Sequence, residues 1–115
     1  MKTIIITNKI SLDELKQLSE KMFGGLVKAV IDVEKKIMVV DAELHADEEA
    51  LLLKNGSVQK DLWGINIYPE IQDKNWIEFD SMINLRPSQN NRSRGIDDLE
   101  IQKKIIIIVN NLVIK

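Results

Sequence analysis

An α+β domain is what this sequence predicts: a mostly antiparallel sheet of about five strands, with two to three helices packed on one face. Three observations lead there. Segments 2–7, 26–34, 37–42, 63–68 and 76–86 are rich in β-branched or aromatic residues, and most alternate with period two. Segments near each end instead repeat apolar residues at helical spacing behind a capping residue. The resulting order, β-α-β-β-(α)-β-β-α, suits a sheet that carries helices on its apolar face and exposes the other.

Residues 2–7 read as the first strand. Ser11-Leu12-Asp13-Glu14 then forms a capping box, with the serine accepting from the backbone N–H of Glu14 and Glu14 reaching back. Leu12, Leu15, Leu18 and Met22 give that helix its stripe, and Gly24-Gly25 ends it. In 26–34, Val27, Ala29, Ile31 and Val33 point one way while Lys28, Asp32 and Glu34 point the other. Lys35-Lys36 makes a turn into a second strand over 37–42, giving a hairpin.

If that strand runs on, Asp41, Glu43, His45 and Asp47 share one face. Asp47 can equally cap a short helix over 48–54, stopped by Asn55-Gly56. Strands 63–68 and 76–86 pair so that Asn66 opposes Glu78 and Gly64 opposes Asp80. Trp63, Ile65 and Ile67 then stack beside Ser81, Phe79 and Ile77 on the apolar face. Residues 87–95 are a polar loop, and Asp97 or Asp98 caps a last helix striped by Ile101, Ile105, Ile108 and Leu112. The β-branched run 105–109 argues for strand there, but the cap and the stripe favour helix.

Composition sets the outer limits. A chain of 115 residues makes one domain, 1–115, and buries roughly two-thirds of its unfolded surface. With 44% hydrophobic and 30% charged residues, disorder is not expected. A net charge of -2 and 4% aromatic residues argue against extended nucleic acid as a partner. The apolar stretch near Met1 and the run 105–109 are too short for a secretory signal or a membrane span, so a soluble protein with no membrane partner is expected. The absence of cysteine removes disulfides, thiolate metal sites and a thiol nucleophile, and fits a cytoplasmic location.

The polar residues of 41–94 fall largely at alternate positions of strand-like segments. They place carboxylates, carboxamides, the single histidine and the single tyrosine on one face. His45 with Glu43 is the candidate acid/base pair, a carboxylate neighbour raising the imidazole pKa and orienting the ring, with Glu78 and Asp80 as assisting acids. Asn66, Tyr68 and Asn84 would line the same surface. One histidine without cysteine does not make a zinc site, and Mg²⁺ or Mn²⁺ on carboxylates would fit better. A strand histidine beside carboxylates is more often structural, so no metal ligand is assigned.

Arg86, Asn91, Arg92 and Arg94 lie before the last helix in a loop that suits phosphate or carboxylate recognition by arginine forks. Asp97, Asp98 and Glu100 partly offset that charge, and the loop lacks the glycine-lysine pattern of a P-loop. Among aromatic residues, Tyr68 and Trp76 would be neighbours on the polar face while Trp63 joins the core.

Two blocks, ELHADEEALLLKNGSVQKDLWGINIYP and WIEFDSMINLRPSQNNRSRGI, carry a likeness to known sequences. The chain resembles, over nearly its whole length, a family of short uncharacterised prokaryotic proteins known only as a domain of unknown function. The resemblance implies no activity, cofactor or catalytic residue. From the residues alone, the expectation is a small anionic ligand on the polar sheet face, with or without acid/base or hydrolytic turnover. The alternative is an interaction or homodimerising module without small-molecule activity. The sequence specifies no cofactor.

Overall fold

A computed structural model of the protein describes residues 3–22 and 24–115. Lys2, in the predicted strand 2–7, lies outside the described residues. Five strands form the main sheet in the order β1 (Ile4–Ile6), β4 (Ile37–Val40), β3 (Val27–Asp32), β5 (Leu62–Ile67) and β6 (Ile77–Glu78), every neighbouring pair antiparallel. A two-stranded parallel ribbon, β2 (Ile10–Ser11) with β7 (Val113–Ile114), ties the two ends of the described chain together. Among the described residues, no helix is long and apolar enough to cross a membrane.

The helices follow from their caps and stripes. In α1 (Leu12–Ser19), Ser11 accepts from the Glu14 N–H at 3.1 Å, the serine half of the capping box, while Glu14 Oε1 reaches back to the Ser11 hydroxyl at 3.2 Å instead of its backbone N–H. Asp98 caps α3 (Leu99–Leu112) by accepting from the Glu100 N–H at 2.9 Å. Ile105, Ile108, Val109 and Leu112 then bury one side of α3, so the isoleucine-rich segment is helix. Packing on Ala29, Ile31, Met38, Trp63, Ile65 and Ile67 outweighs the modest entropic cost of β-branched residues in a helix.

Helices α1 and α3 cover that apolar face, as expected. The opposite face does not stay open. Val30, Val39 and Leu62 point to it, and α2 (His45–Lys54) lays Leu52 on them, so the sheet is partly sandwiched. Two stretches differ from the sequence reading. The strand predicted over 37–42 stops at Val40, because Asp41 turns out at φ 70° and Ala42 to Leu44 run on to the helix. Helix α2 begins at His45 instead of Glu48, with Asp47 and Glu48 in its first turn, where the helix dipole favours acidic groups.

The strand predicted over 76–86 shrinks to Ile77–Glu78. Beyond it come two short 3-10 turns, Met82–Asn84, opened by Ser81 accepting from the Ile83 N–H, and Pro87–Gln89, opened by the proline. Serine and asparagine side chains compete with the strand ladder for backbone groups, which is what ends the pairing. The predicted register itself holds where the strand exists: Asn66 faces Glu78 and Ile67 faces Ile77. Trp76 sits in another 3-10 turn, which rotates its ring into the apolar core and away from Tyr68.

Candidate functional site

On the polar side of the sheet, Lys28, Asn66 and Glu78 lie in one row across β3, β5 and β6. The Asn66 Nδ2 donates to Glu78 Oε1 at 2.8 Å and the Tyr68 hydroxyl donates to the same oxygen at 2.9 Å. Partial burial and the Glu78 contact hold the Tyr68 phenol above its ordinary pKa. Asp80 pairs instead with Arg94, Oδ1 to Nε at 2.7 Å, in a half-exposed bridge worth less than about 1 kcal/mol. Glu78 and Asp80 thus have separate partners.

The His45 side chain comes down on this face from the first turn of α2. Its Nε2 donates to the Ile65 carbonyl at 2.7 Å, which fixes the neutral tautomer with the proton on Nε2. Burial pushes the imidazole pKa down, with Lys28 and Arg94 adding to that, and outweighs the Ile65 hydrogen bond and Asp80, which raise it. The expected carboxylate-raised histidine is therefore not formed. Glu43 is exposed in the link between β4 and α2, and His45 hydrogen-bonds to a carbonyl instead. The strand that would have aligned 43 with 45 ends earlier.

One turn further along α2, Glu48 is 0% exposed, and neither carboxyl oxygen has a hydrogen-bond partner among the described residues. Burial raises its pKa to about 10, so the group is a neutral acid at pH 7. The Ala42 N–H, which approaches without closing a bond, and Lys28 oppose that rise, while Asp41 and Asp47 reinforce it. The buried Oδ1 of Asn66 also has no partner.

Gly64 makes the close approach possible. A Cβ there would stand 2.6 Å from Ser81 Cβ and 3.2 Å from His45 Cδ2.

Of the remaining predicted binding residues, Asn84, Arg86 and Asn91 have structural employment. Asn84, 0% exposed, receives the Gly64 N–H on Oδ1 at 2.8 Å and donates from Nδ2 to the Gly64 carbonyl at 2.9 Å. One carboxamide thereby closes the edge of β5 where β6 has ended. The Asn91 Nδ2 donates to the carbonyls of Asn84, at 2.7 Å, and Gly95, at 2.8 Å, and its Oδ1 receives the Asp97 N–H at 2.8 Å. Arg86 donates to the carbonyls of Ile83, Gln59 and Leu62 and to Gln89 Oε1, which uses four of its five N–H groups. Its guanidinium also lies 4.4 Å from the Trp63 ring centroid. The expected arginine fork for an anion is thus turned inward at position 86. Arg92 is exposed, with its backbone N–H on Asp97.

Lys28 and Glu48 were missed as members of this surface. Glu48 had a signal, its spacing of three residues from His45, but that spacing matters only once the helix begins at position 45. Among the described residues, no three His, Asp or Glu side chains gather as metal ligands would, so the carboxylates weighed for Mg²⁺ or Mn²⁺ are not assembled around His45. Surface depressions lie elsewhere: one bounded by Leu12, Lys16, Trp76 and Lys115, one by Glu34, Lys36, Ile107 and Asn111, and one by Gln72, Lys74, Ile106 and Asn110. None of these contains a residue of the polar face.

The architecture and this surface define an α+β protein with a partly covered polar sheet face. Residues 4–112 match the model of the family described as "Protein of unknown function (DUF5674)", and the chain belongs to that family. Neither the curated proteins nor the solved structures contain a match to it.

Proposed function

We propose that the polar sheet face binds a small carboxylate- or phosphate-bearing ligand, in a cytoplasmic setting, with His45 and Glu48 handling a proton. One observation carries the reading: two buried titratable groups, three residues apart on α2, face the sheet in neutral form and are not used up by the fold. Among the described residues, His45 Nδ1 has no hydrogen-bond partner, and Glu48 retains a whole carboxyl. Lys28 supplies the positive charge near both. The neutral imidazole accepts a proton from the ligand, and the neutral acid Glu48, sealed from solvent, acts on the ligand through His45. Asn66, with its free Oδ1, and Tyr68 would orient the ligand.

The test is a thermal-shift panel of carboxylic acids, sugar phosphates and nucleotides, followed by calorimetric titration of whichever class stabilises the protein. Binding should vanish in Lys28→Met and persist in Arg92→Ala. A flat panel, or binding untouched by Lys28→Met, would refute the assignment. The alternative of an interaction module draws separate support from the open edge of β1.

A further inference from the structure

The sheet has two edges, and they are finished differently. At the β6 side the strand is two residues long, carries Glu78, and gives way to the Asn84 carboxamide closed on Gly64. At the other side β1 pairs with β4 alone, in unbroken register from Ile4↔Val40 to Ile6↔Met38. Among the described residues, no hydrogen bond closes its outer side. Charges, prolines and bulges are the usual guards of such an edge, and the stretch 3–7 contains none of them. It reads Thr3-Ile4-Ile5-Ile6-Thr7, the same in both directions.

From these features we infer that the chain pairs with a second copy of itself through β1, antiparallel about a two-fold axis at Ile5. In that register Ile4 meets Ile6 of the second copy, Thr3 meets Thr7, and Ile5 meets its own equivalent. β-branched residues thus oppose β-branched residues at every position, a favourable cross-strand pairing. Side-chain direction agrees as well. Ile6 belongs to the core under α1 and α3, and Ile5 packs with the cluster under α2, so each apolar layer continues into the same layer of the copy. The contact is isologous and closes on itself, because each chain commits the same edge, while on the far side β6 is two residues long and the Asn84 carboxamide closes β5 beyond it. The three strand residues Ile4–Ile6, with a threonine on either side, make a small contact, so the association is concentration-dependent and falls in the class that buries less than roughly 1,200 Å².

The chain has no cysteine, which makes the register directly testable by single-thiol variants of the full chain. Directly opposed strand residues have Cα atoms about 4.5–5.5 Å apart, within disulfide reach. Ile5→Cys should therefore cross-link to a dimer under mild oxidation. Thr7→Cys should not cross-link with itself, since its equivalents stand roughly 13 Å apart, but should do so when mixed with Thr3→Cys. In sedimentation equilibrium the unmodified protein should show a monomer–dimer exchange that Ile4→Lys weakens by about tenfold or more, with its melting temperature retained. A protein monomeric at every concentration, or equal cross-linking of Ile5→Cys and Thr7→Cys alone, would overturn the inference.

Discussion

Two polar regions of this molecule use the same residue types to opposite ends. In the segment 80–97, Asn84, Arg86 and Asn91 are buried, and nearly every donor and acceptor finds a backbone partner. Under α2, His45, Glu48 and Asn66 are equally buried, yet Glu48 is unpaired and Asn66 is half paired. The first region replaces a strand that stopped short and holds an irregular loop against the sheet. The second contributes less to the fold than its burial would suggest, since an unpaired buried polar group costs free energy. Buried polarity alone is therefore a poor guide to function, and the pairing of each atom is what separates the two regions.

Mutation should break the comparison most visibly in the first region. Asn84→Ala strands the Gly64 N–H and carbonyl together and also removes a bond to the Arg94 carbonyl. A loss of about 3–5 kcal/mol is expected from two or three orphaned buried groups, read by urea unfolding. Gly64→Ala follows, at about 1–3 kcal/mol, because its Cβ would sit 2.7 Å from Ser81 Oγ and the overpacked contact has to shift.

The second region should respond in the other direction. Folded Glu48 keeps its proton up to about pH 10, while a glutamate in the unfolded chain releases it near the usual 4.5. Between those values the folded state binds the extra proton, so stability falls as pH rises, by about 1.4 kcal/mol per pH unit from this group. Glu48→Gln has the same shape and no charge to form. Its stability should exceed that of the unmodified protein at pH 8 by more than at pH 6, in paired urea melts. A variant less stable at pH 8 would show that Glu48 is ionised and paired.

The smallest effect is expected from Tyr68→Phe, which removes one half-exposed hydrogen bond to Glu78. About 0.5–1.5 kcal/mol or less should be lost. Weakened ligand binding in the same variant would sharpen the functional side of the contrast.

Much of the fold was legible because its signals are local. The Ser11 cap, the alternation of Val27, Ala29 and Ile31, and the stripe of Ile105, Ile108 and Leu112 each report a periodicity that neighbours in sequence enforce. The Asn66–Glu78 pairing, reached by setting Tyr68 opposite Trp76, is the one that forms, although period two fixes only the faces and not the register. The candidate site was legible in part. His45, Asn66, Tyr68, Glu78, Asp80 and Arg94 do share a side of the sheet, whereas Glu43 lies outside it and Asn84, Arg86 and Asn91 serve the loop.

By itself the sequence determined the Ser11 cap, the strand faces and the chemistry available to a polar surface, while packing on the sheet settled the isoleucine-rich segment as helix. Tertiary structure alone decided where two strands stop, which way Arg86 points, and that Glu48 is sealed beneath α2 as a neutral acid. The physical reason is range. Periodicity and capping act over three or four residues, whereas burial and hydrogen-bond pairing depend on groups brought together from distant parts of the chain, as Gly64 and Asn84 are.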